Sequence, residues 1–208
     1  MKVTSLKLYK GSVFEAVIDD SRKFYLHADI VADFNLHEGS ETDSQQLKKI
    51  ICASNFRRAY QRALYLLDYR DYSEKEMTHK LVQTYKSESL CSAVVERLKE
   101  HRLIDDERYA ERLAQKYAES KKFGYRRAMD EIMRKGIDKF TAQDALEKYT
   151  DIFSENLSEL IEKKYSYFLT DSSDRKSVEK VKNSLVRYGY DFSDINRAVK
   201  EYFEKLEE

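Results

Sequence analysis

A pattern returns three times along this 208-residue chain. Met77-x3-Leu81 recurs as Ala128-x3-Ile132, 51 residues later, and again as Val181-x3-Leu185, 53 residues after that. The last two copies also share an exit. Ile132 to Ile137 and Leu185 to Tyr190 both read apolar, three residues, Gly, apolar, which puts Gly136 and Gly189 where a Schellman stop needs a left-handed residue. A short helix follows each, over 140–149 and 193–204. Three helices in roughly 51 residues bury too little apolar surface to stand alone, so the units must gain stability by stacking. The expected fold is mainly α: an elongated, curved array of three tandem three-helix repeats behind a small antiparallel β meander. Its parts are the meander with a short helix and connector (1–43), a lead-in helix with the first repeat (44–104), the second repeat (105–150) and the third (151–208).

Composition agrees with long helices. There is no Pro and there are five Gly, so breakers are scarce. From about residue 44, Phe56, Ala59, Tyr60, Ala63, Leu64 and Leu67 form one apolar stripe at i, i+3, i+4, i+7, i+8 and i+11. Ser73-x2-Glu76 reads as a capping box, and Asp105-Asp106-Glu107 as an N-cap with first-turn acids. Thr141-x2-Asp144 is a weaker start of the same kind. Before residue 44 the period differs. Residues 3–9, 13–18 and 23–27 are rich in β-branched and aromatic side chains. Lys10-Gly11-Ser12 and Asp19-Asp20-Ser21 separate them as turns, residues 29–34 form a helical turn, and 35–43 serve as a connector.

Several function classes drop out on chemistry. The chain has no P-loop and no Gly-rich dinucleotide turn. His27, His37, His79 and His101 never come within metal-ligand spacing of one another or of a Cys, so neither a cofactor nor a metal is expected. Asp19-Asp20 and Asp105-Asp106 could be drawn as nuclease carboxylates, but a β-turn and a helix N-terminus account for them. Cys52 and Cys91 are too few for a disulfide framework and read as buried, reduced structural thiols. No apolar run is long enough to cross a bilayer, and the first residues lack a signal-peptide pattern. The expectation is a cytoplasmic, monomeric, non-enzymatic protein.

Charge is more informative divided than summed. The 38 Lys and Arg cancel the 38 Asp and Glu. Residues 1–52 carry 7 basic and 8 acidic groups, and 53–104 carry 10 and 7. Residues 105–150 carry 11 and 10, and 151–208 carry 10 and 13. Between 112 and 139, nine basic residues meet four acids. They are Arg112, Lys116, Lys121, Lys122, Arg126, Arg127, Arg134, Lys135 and Lys139. The densest part, Lys121-Lys122-Phe123-Gly124-Tyr125-Arg126-Arg127, sits at a helix junction. The cations could neutralise phosphates, Phe123 or Tyr125 could stack on a base, and the next helix could offer free N–H groups to an anion. Equally, Phe123 could anchor the turn in the core. Arg57, Arg58 and Arg62 make a second basic strip, which a solvated helix face would also explain.

The ordered residues resemble a known family. Ala63-Leu64-Tyr65-Leu66-Leu67-x2-Arg70-x2-Ser73-x2-Glu76-Met77-x3-Leu81, then Leu98 and Ile104-Asp105-Asp106-Glu107-Arg108-Tyr109-Ala110, are similar to the RecX family. So is Gly124-Tyr125-Arg126-Arg127-Ala128-x3-Ile132-x2-Lys135-Gly136-Ile137 followed by Ala145-Leu146. The strand-rich opening looks like the N-terminal extension of Gram-positive members. Two positions depart from the pattern: Arg102 stands where the family usually has Gly, and Ala128 is smaller than the usual aliphatic, with Met129 available to fill the space. The resemblance implies a regulator of homologous recombination and the SOS response. Such a protein lies in the groove of the RecA–DNA filament and inhibits or disassembles it, binds single- and double-stranded DNA more weakly, and catalyses nothing. The alternative is a stand-alone helical DNA-binding protein or transcriptional regulator.

Overall fold

The computed structural model describes residues 1–207. Three antiparallel strands come first: β1 (Val3–Lys10), β2 (Val13–Ile18) and β3 (Arg22–His27), in the order β1-β2-β3. Lys10 pairs with Val13, so the first hairpin turns on two residues, Gly11 and Ser12, rather than the three expected. Ten α-helices follow: α1 (Ala28–Asp33), α2 (Ser44–Leu67), α3 (Glu74–Tyr85), α4 (Glu88–Glu100), α5 (Asp106–Gln115), α6 (Tyr125–Arg134), α7 (Lys139–Glu147), α8 (Thr150–Leu160), α9 (Arg175–Tyr188) and α10 (Phe192–Glu207). A π-helical turn extends α5 over Lys116–Ser120 and another extends α8 over Ile161–Tyr165. The fold is thus mainly α, built of three-helix repeats behind a small meander.

Two compact units divide the chain: Met1–Arg70 with Thr78–Glu100, and Asp71–Met77 with the chain from His101 onward. In the first unit the inner face of the sheet (Ala16, Leu26) meets Ile30 of α1 and Ile50 of α2 in one buried cluster. Alternation explains this: residues two apart share a face, and only one face of the sheet is apolar enough to bury. The connector after α1 runs beside β1. Val3 N–H donates to Ser40 O at 2.9 Å, Gly39 N–H to Val3 O at 2.8 Å and Thr42 N–H to Met1 O at 2.8 Å. The lead-in segment and the first repeat helix form one continuous 24-residue helix, α2, capped by the Asp43 carboxylate, which accepts from Gln46 N–H. Its buried positions include Ala59, Ala63 and Leu66, a stripe shifted slightly from the predicted one.

In the second unit, the second repeat encloses Leu113, Ala128, Met129, Ile132, Ile137 and Leu146 in one cluster. Met129 does lie buried beside the small Ala128. The third repeat encloses Leu157, Ile161, Val181, Leu185, Tyr190 and Ile195. Both glycine stops are left-handed, Gly136 at φ 86° and Gly189 at φ 93°. At the second, Tyr190 N–H reaches back to Leu185 O, the bond that defines the motif. Asp105 caps α5 as expected, accepting from Arg108 N–H at 2.9 Å. For α7 the cap is Asp138, which accepts from Phe140 and Thr141 N–H; Thr141, the predicted start, already lies inside the helix. Cys91 is buried, but Cys52 is exposed on α2, against the expectation for it.

Arg102 takes the left-handed conformation that its position demands, at φ 53°, without being glycine. Its carbonyl accepts from the Arg108 guanidinium at 3.1 Å, while its side chain is exposed. A side chain in this region carries a steric cost of roughly 1 kcal/mol. Arg102→Gly is therefore expected to stabilise the protein by about 1 kcal/mol. Urea unfolding followed by circular dichroism measures the change, and a lower midpoint would contradict this account.

Candidate functional site

The basic turn 121–127 lies at a seam between the second and third repeats. A helix leaves about four N–H groups unsatisfied at its start and four carbonyls at its end. Here the two needs answer each other. Gly124 N–H donates to Tyr188 O at 2.8 Å and Arg126 N–H to Gly189 O at 3.2 Å. The Arg127 guanidinium donates to Arg187 O at 3.2 Å, and the Tyr190 hydroxyl donates to Lys122 O at 3.0 Å. The positive start of α6 thus abuts the negative end of α9, which is favourable for both helix dipoles. Backbone can come this close because both residues at the contact are glycine. A Cβ on Gly124 would overlap the Gly189 carbonyl and Tyr190 N, and one on Gly189 would overlap Arg127. The expectation that the α6 N–H groups stand free for an anion is therefore corrected at Gly124 and Arg126, whose acceptors are the carbonyls of α9.

The side chains of the turn divide. Phe123 stacks on Tyr117 (5.7 Å between centroids, 20° between planes) and meets Tyr188 edge-on at 6.3 Å. Arg127 covers its remaining face, with Cζ 4.0 Å from the ring centre. Tyr125 meets Phe153 edge-on at 6.0 Å, and burial raises its phenol pKa. Lys122, left-handed at φ 51°, pairs with Glu159, and Arg126 pairs with Asp191. Glu159 also holds Lys163 at 2.8 Å, and these two ammonium groups pull its carboxyl down to about 2. Behind the turn, buried Asn156 donates to Ala118 O at 2.8 Å, serving a carbonyl of the π-helical turn. Lys116 and Lys121 are exposed, as is Arg134, which pairs with Glu131 on its own helix at 3.3 Å.

The seam between the first turn of α3 and the end of α6 follows the same plan. Ser73 occupies the place that Gly124 holds 51 residues later. Its hydroxyl accepts from Glu76 N–H at 3.1 Å and donates to Lys135 O, so a side chain relays the bond that the glycine backbone makes directly. Lys135 Nζ lies 3.7 Å from the Glu76 carboxylate, and Asp106 accepts from Glu74 N–H at 2.9 Å. Gly136 faces Ser73 and Lys75. In the third copy, α9 runs one turn further back and ends on its own cap, Asp174, which accepts from Ser177 N–H at 3.3 Å.

Of the second basic strip, Arg57 donates to Asp29 (3.0 Å) and approaches His27 Nε2 (3.1 Å), inside the first unit. Arg58 and Arg62 are exposed. Sequence reasoning passed over two neighbours. Tyr65 continues the same helix face and Tyr69 follows in the turn just past its end, 49% and 71% exposed, with centroids 4.9 Å apart and hydroxyls 2.7 Å apart. Arg62 Cζ lies 5.2 Å from the Tyr65 ring centre. The signal was available as spacing: 58, 62, 65 and 69 fall on one side of a helix. Among the described residues, no helix is long and apolar enough to cross a membrane.

Three-helix modules whose helix ends meet through glycine or hydroxyl contacts, with cations at their turns, define a helical-repeat protein. Comparison with known proteins gives the family. Residues 59–98 match the model of the first three-helix domain of RecX, and 105–146 that of the second. A crystal structure of RecX from Lactobacillus salivarius is 30% identical, covers 72% of this chain and 97% of its own, and superposes with a TM-score of 0.65. A second crystal structure, of a regulatory protein RecX, shares the fold over 96% of this chain and 98% of its own, with a TM-score of 0.76 at 23% identity. Proteins named Regulatory protein RecX are also similar in sequence. That of Clostridioides difficile is 28% identical over 185 residues, spanning 88% of this chain and 85% of the relative. That of Bacillus velezensis is 27% identical over 190 residues, spanning 90% and 72%. The chain belongs to the RecX family of regulatory proteins.

Two outcomes test the seam. Gly124→Ala should cost about 1–3 kcal/mol, because its methyl meets backbone that cannot rotate away. Gly11→Ala, which meets nothing within 4 Å, should cost only its left-handed strain, about 1 kcal/mol. Equal losses in thermal unfolding would refute the close-contact account. For Glu159 the depressed pKa gives the sign. Its contribution is complete above the unfolded value of 4.5 and is lost as pH falls through about 2. Glu159→Gln should melt below wild type at pH 7, with the gap narrowing from pH 4.5 downward. A gap that does not change with pH would remove Glu159 from the seam.

Proposed function

We propose that this protein is a non-enzymatic regulator of homologous recombination and the SOS response. It binds in the groove of the RecA–DNA filament and inhibits or disassembles it, with weaker binding to single- and double-stranded DNA. The observation that carries the reading is the family's pair of three-helix domains, in order along the chain. The relatives' name, regulatory protein, agrees with a role exerted by binding. In this reading the protein acts as a cytoplasmic monomer, organised as a sheet region (1–43) and repeats over 44–104, 105–150 and 151–208.

Within the proposed contact set the residues take different parts. Lys116, Lys121 and Arg134 point to solvent and face the filament. Lys122, Phe123, Tyr125, Arg126, Arg127 and Lys135 set the turn and its neighbours at the correct place by holding the seams. Arg57 ties α2 to α1, and Arg58 and Arg62 supply a separate basic surface. A protein that simply competed for DNA would bind it with a steep salt dependence and no response to RecA.

RecA ATPase activity on single-stranded DNA is the direct measurement. Substoichiometric protein should depress it, and no effect at any ratio would defeat the reading. Lys116→Glu, Lys121→Glu and Arg134→Glu together should weaken inhibition about tenfold while leaving the melting temperature within a few degrees, since exposed substitutions cost little stability. Unchanged inhibition would take these three out of the contact set.

A further inference from the structure

Helix α2 has an unusual charge distribution. Over Ser44–Leu67 it carries five cations, Lys48, Lys49, Arg57, Arg58 and Arg62, and no carboxylate; the next acid is Asp68, just past its end. Arg57 is engaged with Asp29, but no carboxylate among the described residues pairs with Lys48, Arg58 or Arg62. These three lie on one face with the Tyr65–Tyr69 pair, at positions 48, 58, 62, 65 and 69. At 1.5 Å per residue the face runs about 30 Å. Beside it, between α2, the end of α3 and the start of α4, lies a groove of about 750 Å³ whose lining includes Phe56, Arg58, Tyr85 and Leu90 and no acid. That is the size of a pocket for a flat organic group.

We propose that this face is a binding site for single-stranded nucleic acid. Lys48, Arg58 and Arg62 hold backbone phosphates, and unpaired bases stack on Tyr65 and Tyr69. The inference deepens the reading above, on which it rests, by giving the chain's own nucleic-acid contact a place and a ligand class. Cations alone would serve any polyanion. The exposed aromatic rings select a strand whose bases are open, because a duplex keeps its base faces stacked inside. The tyrosines meet at 68°, so at least one ring keeps a face uncovered by the other. The other exposed pair of this unit, Tyr9 and Tyr25, has the Glu15 carboxylate 3.1 Å from the Tyr25 hydroxyl, which would repel a phosphate backbone, whereas at Tyr69 the adjacent Asp68 is opposed by Arg62.

Fluorescence anisotropy with the full chain and no RecA tests this, using labelled oligothymidylate, an abasic strand of equal length and a hairpin duplex. Wild type should prefer oligothymidylate to both. Tyr65→Ala with Tyr69→Ala should weaken oligothymidylate binding about tenfold or more and leave abasic binding unchanged, while the paired Tyr→Phe variant stays near wild type. Arg58→Gln with Arg62→Gln should reduce the salt slope by about 1.4, or 0.7 per phosphate lost. Equal affinity for the three nucleic acids, or an undiminished Tyr→Ala variant that is folded by circular dichroism, overturns the proposal. So does a Tyr→Ala variant that binds DNA normally yet loses its effect on RecA, which would mark the face as a protein contact. Because RecA is absent from the binding assay, its outcome is separate from that of the ATPase measurement.

Discussion

The second unit depends on helix ends that satisfy one another. Gly124 N–H and Arg126 N–H meet the last carbonyls of α9, and Ser73 carries the same exchange to the end of α6. A lone module would leave these groups to water; stacking turns a solvation cost into a specific, directional joint. The apolar cluster of the second repeat reaches Phe153 of α8, and the backbone exchange adds direction to that packing. That explains the demand for glycine on both sides of the joint.

This arrangement changes how the basic middle of the chain should be understood. A cation count treats Lys121 to Arg127 as one patch, yet the structure spends most of it internally. Lys122 and Arg126 meet carboxylates of the third repeat, and Arg127 shields Phe123 while reaching Arg187 O. The acidic third repeat and the basic second repeat are thus partly each other's counterions. The outward electrostatic surface is carried by fewer residues, and on α2 by a helix with no acid to offset it.

Much of the fold was legible in the sequence. The three-fold return of one apolar pair, the glycine stops and the change from period 2 near residue 44 are local signals, and local signals survive folding. What was hidden involved distance. Gly124 looked like a junction glycine and Gly189 like a helix stop; nothing nearby in sequence says that they touch across 65 residues. The reading of free N–H groups at α6 failed for the same reason, since their acceptors come from the next repeat. The α2 surface was obscured differently. Counting charge by repeat cut the helix at residue 52 and mixed its cations with acids of the sheet and of later helices. Cys52, taken for a core thiol by residue type, is exposed on the same helix and lines the groove beside that face.

The three equivalent helix starts are finished in three ways. At α6 the acceptors are carbonyls of α9; at α3 the Ser73 hydroxyl caps its own helix and also donates to Lys135 O; at α9 the Asp174 carboxylate caps its own helix. A serine hydroxyl can accept from its own helix and still donate to the next, whereas a carboxylate only accepts. Asp174 therefore closes the start of α9 locally, and one side-chain choice separates a helix start that couples to a neighbour from one that ends on itself.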